Sequence, residues 1–339
     1  MSNFVFGLLL VILAGILSGG SAAPIKLMHR FRYEHWALIS VITGMLLLPW
    51  SIMVFTVNIK TVLAGIPATV LINANLFSLA WGVANVLVGL CLVRIGISLT
   101  IGLLTGVGLP IGVLIPMVFR GSGIFAGAPS LFSRAGMFIV PGIIVMLAAL
   151  ALITWAGFGR EKIEKTESNT ASFKTGFVMA VMAGILQVGL SFAFVYSQGP
   201  VNDALRASGA SPMGMLVGVW TFALPGGVLV NLCYIVWRLC RNKNWGVFLS
   251  SPEEMMLSIL MGVIFLGFIV SFGFGMPLMG ALGASIGFGV YQTIQAASSQ
   301  AVGAFSGEWR GAPAGTIKQM KIALVLLLVA VMLFSAGKF

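Results

Sequence analysis

The chain has 339 residues with only 19 Lys and Arg and 8 Asp and Glu, 8% charged, against the roughly 25% usual in soluble domains. With 59% hydrophobic residues and a mean hydropathy of +1.08, it cannot cover a water-facing surface, which excludes a soluble enzyme and a disordered regulator. The formal charge of +11 does not point to nucleic acid, because the basic residues lie scattered in short gaps between apolar runs, as membrane topology signals do.

A spanning helix needs about 20 mostly apolar residues, and ten segments qualify, roughly 4–23, 36–57, 69–91, 97–119, 135–157, 174–196, 213–237, 255–275, 280–305 and 317–336. The runs are continuous rather than alternating, so the expected class is an all-α polytopic membrane protein and not a barrel. The first run ends at Ser21-Ala22-Ala23, which resembles a signal-peptide cleavage site. Met1-Ser2-Asn3 carries no basic side chain, however, and positive charge follows the run, so it reads as a retained helix. The loop after it holds both histidines, His29 and His35, weak candidates for a metal site. Cys91, Cys233 and Cys240 form no C-x-x-C pair and read as buried, inert thiols. Neither a metal nor a cofactor is expected.

Orientation follows from the basic residues. Lys26, Arg30, Arg32, Arg94, Arg160, Lys162, Lys165, Lys174, Arg238, Arg241, Lys243, Arg310, Lys318 and Lys321 fall on one side of the expected spans. Only Lys60, Arg120, Arg134, Arg206 and Lys338 fall on the other. The richer side is expected to be cytoplasmic, with both termini outside.

The most polar stretch, Gly159 to Ser172 (GREKIEKTESNTAS), divides the spans five and five. The expected organisation is a first five-helix repeat over 1–158, a cytoplasmic linker over 159–172 and a second repeat over 173–339. An odd number of spans per half inverts one half relative to the other. Ala14-Gly15-Ile16-Leu17 recurs as Ala183-Gly184-Ile185-Leu186. Gly89 to Gly96, followed by Ser98 and Gly102, has a counterpart in Gly273 to Gly280, followed by Ser285 and Gly287. Inverted repeats are the architecture of alternating-access transporters, whose substrate site lies near the bilayer midplane.

None of the eight acids falls within an expected span, which favours a neutral polar substrate over an ion or a midspan proton relay. Hydrogen-bond partners for such a substrate fall on helical faces. They are Ser78, Trp81 and Asn85; Gln187, Ser191 and Gln198; and Ser285, Gln292, Gln295 and Ser299 with Tyr291 beside them. Such groups also serve as interhelical contacts, and Trp81 and Tyr291 are either packing or platforms for the apolar face of a sugar. Trp81, Asn85, Gln187, Ser191, Tyr291, Gln292 and Gln295 are the candidate substrate-binding residues.

Pro24-x-Lys26, Tyr33-Glu34-x-Trp36, Leu48-Pro49-Trp50 and Trp81-Gly82-x-x-Asn85 with Gly89, Gly96 and Ser98 resemble the L-rhamnose/proton symporters of the drug/metabolite transporter superfamily. The resemblance continues through Ala180-Val181-Met182-x-Gly184, Ser191-Phe192-Ala193 and Glu308-Trp309, in order along most of the chain. It implies a ten-helix inner-membrane carrier that takes up a 6-deoxyhexose with protons. The 258–275 stretch departs from it, having no Trp or Gln where the resemblance implies both. Glu34 is the acid near a helix start that matches the family pattern and is the proton-coupling candidate. Its alternative role is a helix cap or an ion pair with Lys26 or Arg32.

The expected partners are therefore a neutral monosaccharide, protons and the lipid bilayer, with no nucleic acid and the oligomeric state left open. An exporter of metabolites or drugs is the alternative within transport. A membrane sensor or assembly subunit without transport is the alternative outside it. No nucleophile–base constellation is present to support an enzyme.

Overall fold

The computed structural model describes residues 2–118, 130, 132–164, 170–280 and 283–336. Among these the chain is helical and contains no strand. Among the described residues, seven helices are long and apolar enough to cross a membrane: Asn3–Leu27, Tyr33–Thr56, Ala68–Ile97, Gly136–Gly157, Lys174–Ala207, Pro252–Leu278 and Ala314–Ala336. Gly214–Ala223 and Pro225–Asn242, bent by 60° at their junction, make an eighth if taken as one broken span. Two of the expected spans differ. The 97–119 segment yields a shorter apolar helix, Leu99–Ile115. In the 280–305 segment a π-helical turn at Gly283–Gly287 precedes a helix over Phe288–Phe305, whose amides and hydroxyls lower its hydropathy.

In chain order the α-helices are α1 (Ser2–Gly20), α2 (Tyr33–Val41), α3 (Leu48–Thr56), α4 (Ile59–Gly65), α5 (Ala68–Val118), α6 (Arg134–Glu164), α7 (Thr170–Leu186), α8 (Val188–Ala207), α9 (Pro212–Ala223), α10 (Pro225–Asn242), α11 (Pro252–Leu278), α12 (Phe288–Phe305) and α13 (Ala314–Ala336). The expected linker over 159–172 lies partly outside the described residues; α6 continues to Glu164 and α7 opens at Thr170. Local chemistry accounts for the breaks. Pro49 has no N–H to return to the carbonyl one turn back, and the helix widens into a π turn over Ile42–Leu47 just before it. Within α5, Gly96 has φ 79° and ψ 169°, a conformation that costs a glycine little and any other residue much. The N–H of Ile97, freed by that break, donates to the Glu308 carboxylate at 3.0 Å.

The chain divides into two compact units, each assembled from pieces of both sequence halves. One unit comprises Met1–Gly20, Leu90–Ile185 and Phe274–Phe339. In it α13 lies along α6, and α1 along α12. Small residues allow the second pairing: a Cβ on Gly15 would stand 2.7 Å from Ile294 Cβ, and one on Gly19 would strike the Gln295 carbonyl. The other unit comprises Ser21–Gly89 and Leu186–Gly273. Here a Cβ on Gly82 would stand 2.7 Å from the Gly227 backbone, and Gly44 faces Gly262 in the same way.

The α9–α10 break belongs to this second unit, and side chains of α5 satisfy it. Asn75 Nδ2 donates to the Phe222 carbonyl at 3.0 Å and its Oδ1 accepts the Gly226 N–H at 2.8 Å. Ser78 Oγ donates to the Leu224 carbonyl at 3.1 Å and accepts the Gly227 N–H at 2.9 Å. The first turn of α10 is thus capped from outside, as a broken helix in lipid requires. Only one of the three cysteines is where composition led us to expect it. Cys91 is buried, whereas Cys233 and Cys240 are exposed. The buried face of α10 is set by Gly227, Val228, Asn231, Ile235 and Leu239, and both thiols lie off it.

Candidate functional site

The candidate residues fall into two sets, one in each unit. In the first unit, α12 turns Tyr291, Gln292 and Gln295 inward together with Thr293, Ser299 and Gln300. Tyr291 Oη lies 3.1 Å from Ser18 Oγ on α1, and Gln295 Nε2 donates to the same Ser18 oxygen at 2.7 Å. Ser299 is spent locally, donating to the Ala296 carbonyl at 2.8 Å. The side chain of Ser285 lies outside the described residues. Gln292 differs from its neighbours: it is 0% exposed, and among the described residues neither Nε2 nor Oε1 has a hydrogen-bond partner. Gln295 Oε1 is likewise without a partner among the described residues. Each unpaired buried polar group costs about 1–3 kcal/mol, so this corner of α12 carries a desolvation cost. Its donors and acceptors are amides and hydroxyls, the complement of a neutral polyhydroxyl compound.

In the second unit, Trp81 is buried, with its ring 5.9 Å from Phe265 and tilted by 31°. Asn85 Nδ2 donates to Asn231 Oδ1 at 2.9 Å. Asn231 in turn donates to the Gly227 carbonyl at 2.8 Å. The Asn85 side chain thus acts at least as an interhelical tie, through a partner that sequence reasoning missed although an Asn inside an apolar run was a visible signal. Gln187 stands at the joint between α7 and α8 and is half-buried. Ser191 is buried one turn further on.

Glu34 opens α2 and is 0% exposed. Its carboxylate accepts from Arg238 Nε, Asn242 Nδ2 and Asn244 Nδ2, each at 2.9 Å. The cation beside it comes from α10, not from Lys26 or Arg32, the neighbours that local sequence offered. Three donors, one of them cationic, are the arrangement of an ionised carboxylate. Glu254 makes a second anion site of the same unit, accepting the backbone N–H groups of His29, Arg30 and Phe31 at 2.9, 3.0 and 2.6 Å. Neither Arg238 nor the two asparagines was picked out from the sequence, because their role appears only once α10 is set against α2.

A family model described as L-rhamnose-proton symport protein (RhaT) matches residues 1–338. An L-rhamnose-proton symporter of Klebsiella pneumoniae is 25% identical to this chain over 93% of its length and 92% of the relative's. One from Cronobacter sakazakii is 24% identical over 99% of both chains, and one from Escherichia coli 23% identical over 93% and 92%.

Proposed function

The chain belongs to the L-rhamnose-proton symport protein family, and from that premise we propose that it imports L-rhamnose or a closely related deoxyhexose together with protons by alternating access. Within the molecule, the observation that carries the reading is the Gln292 amide, buried with donor and acceptor both unspent. Sugar hydroxyls donate and accept at once, so one pair of them satisfies that amide. Gln295 Oε1 takes a further hydroxyl, and Tyr291 and Ser18 hold Gln295 in place. Trp81, Asn85, Gln187 and Ser191 stand as proposed sugar contacts of the other unit. The exporter and the non-transporting sensor have no comparable support.

The test is uptake of labelled sugars by purified protein in proteoliposomes. L-Rhamnose is expected to accumulate when the outside is acidified and to equilibrate without accumulation when it is not. Uptake of charged metabolites in preference to every deoxyhexose would sink the proposal.

Our architectural reading is ten spans in two inverted repeats, 1–158 and 173–339, joined by 159–172. Its support comes from matching places in the two halves. The unit boundaries at Gly89 and Gly273 fall on the paired Gly-rich junctions, and Gly96 and Gly280 both have positive φ, 79° and 64°. The repeated Ala-Gly-Ile-Leu motif makes equivalent contacts. Gly15 closes on Tyr291 and Ile294, after the second junction, and Gly184 on Leu104 and Val107, after the first.

The same reading puts the protein in the inner membrane with both termini outside, on the strength of the Lys and Arg asymmetry. Lys60 and Gly246 are both exposed and lie on opposite sides in this scheme. With Cys91, Cys233 and Cys240 replaced, Lys60→Cys is expected to react with an impermeant maleimide in intact cells. Gly246→Cys should react only after permeabilisation. The reverse pattern inverts the topology.

A further inference from the structure

His35, next to Glu34 on α2, is 1% exposed, and both of its ring nitrogens are engaged. Its partners fix the tautomer. The Arg32 backbone N–H, which can only donate, lies 3.0 Å from Nδ1, so Nδ1 is unprotonated. Nε2 faces the Asn244 carbonyl at 3.1 Å, which can only accept, so Nε2 carries the proton. Phe248 holds the ring edge-on at 5.1 Å, and Phe31 lies 5.5 Å away. The neutral imidazole is the form this geometry fits.

The preceding residue grips the same turn. Glu34 binds the side chains of Asn242 and Asn244, while His35 binds the Asn244 backbone. Between those asparagines Lys243 has φ 51°, a left-handed conformation that a residue other than glycine seldom adopts. Two adjacent titratable side chains on α2 therefore close on a single strained turn at the end of α10.

We propose that His35 is a second proton-responsive group, a positioning residue that acts with Glu34 as a latch on the Asn242–Asn244 turn. This rests on the symport reading and deepens its proton side. The latch is complete only with both groups deprotonated: Glu34 ionised to accept from the amides, His35 neutral to accept from Arg32 and donate to Asn244. A proton added at Nδ1 sets two donors against each other. It also puts positive charge at the N-terminus of α2, where the helix dipole disfavours it.

The charged and titratable groups of the segments packed at this turn are His29, Arg30, Arg32, Tyr33 and Glu34 from the stretch that carries His35. Tyr234, Arg238 and Arg241 come from α10, Lys243 from the turn that follows it, and Glu254 from α11. Two of these cations are tied to acceptors, Arg238 to Glu34 and Arg30 to the Ser250 carbonyl, and Glu254 is occupied by backbone N–H groups. Imidazoles are the side chains whose charge ordinarily changes between pH about 5 and 8; His29 is the other one in this set, and the His35 variants below separate the two.

The test needs no sugar. A bimane fluorophore is attached at Gly246→Cys, where an added Cβ meets nothing within 4 Å and Trp245 is adjacent to quench it, with the native cysteines replaced. Bimane emission is expected to change as the pH of the detergent-solubilised protein falls from about 8 to about 5.5. In His35→Gln, which keeps a donor toward the Asn244 carbonyl but does not titrate, the emission should stay flat. His35→Asn, which keeps an acceptor toward Arg32, should be equally flat and provides a second variant if the first does not fold. A change of equal size in the variants, or none with His35 in place, overturns the proposal. In proteoliposomes the variants should lose at least half the pH dependence of the maximal rate of L-rhamnose exchange, with KM little altered. A wild-type protein whose loop responds to pH but which moves no rhamnose would sink the symport reading and leave the latch standing.

Discussion

Gln292→Leu is expected to raise the KM for L-rhamnose about 5- to 100-fold, the equivalent of about 1–3 kcal/mol for hydrogen bonds lost from a buried site. The same substitution should raise, not lower, the thermal stability of the sugar-free protein. Wild-type Gln292 holds two unpaired polar atoms out of water, and an apolar side chain of similar size removes that cost. Opposite signs in the two measurements distinguish a ligand from a packing residue. An amide whose partners were protein groups would lose stability on replacement and leave affinity alone. Gln295→Leu should behave differently, since it also breaks the bond to Ser18 Oγ, and should lose both affinity and stability. Radiolabelled exchange and a melting curve on each variant suffice. A Gln292→Leu protein that melts higher and binds rhamnose as before would remove Gln292 from the site.

The residue types of this corner were legible before the fold was. Two amides on one face of an otherwise apolar run are costly in lipid, so Gln292 and Gln295 stood out from composition and spacing alone. Which of them is unspent was not legible, because Ser18, which occupies Gln295, comes from the far end of the chain. Glu34 was marked by its place at a helix start, while its partners Arg238, Asn242 and Asn244 lie some 200 residues away. Hydropathy found the apolar runs but not the breaks inside them. The bend at Leu224–Pro225 is held by Asn75 and Ser78, and only Pro225 announces it in the sequence. The interleaved units escaped a reading in halves for the same reason: periodicity reports which face of a helix is apolar, never which distant helix will cover it.

Glu34→Gln is expected to abolish accumulation of L-rhamnose against its gradient while leaving counterflow exchange within a few-fold of wild type. Net accumulation needs a proton to move with the sugar, whereas exchange returns the carrier loaded and needs no net proton movement. The carboxylate is suited to this by its setting. As an anion it holds the Arg238 guanidinium and two asparagine amides; once protonated it has a hydroxyl where one acceptor was, and its attraction for Arg238 is gone. We propose that proton binding loosens α10 from α2 and that the loss of the proton draws them together. The single variant leaves Arg238 with no counter-ion, and removing one partner of a buried ion pair costs up to about 3–5 kcal/mol. Arg238 retains 31% side-chain exposure, so water offsets part of that cost, but instability alone must still be separated from uncoupling. The double variant Glu34→Gln with Arg238→Gln does so, because it removes both charges and keeps neutral hydrogen-bonding groups in their places. It should melt nearer to wild type than the single variant and still fail to accumulate sugar under an imposed pH gradient. Normal accumulation by a folded Glu34→Gln or by the double variant would show that the coupling proton binds elsewhere.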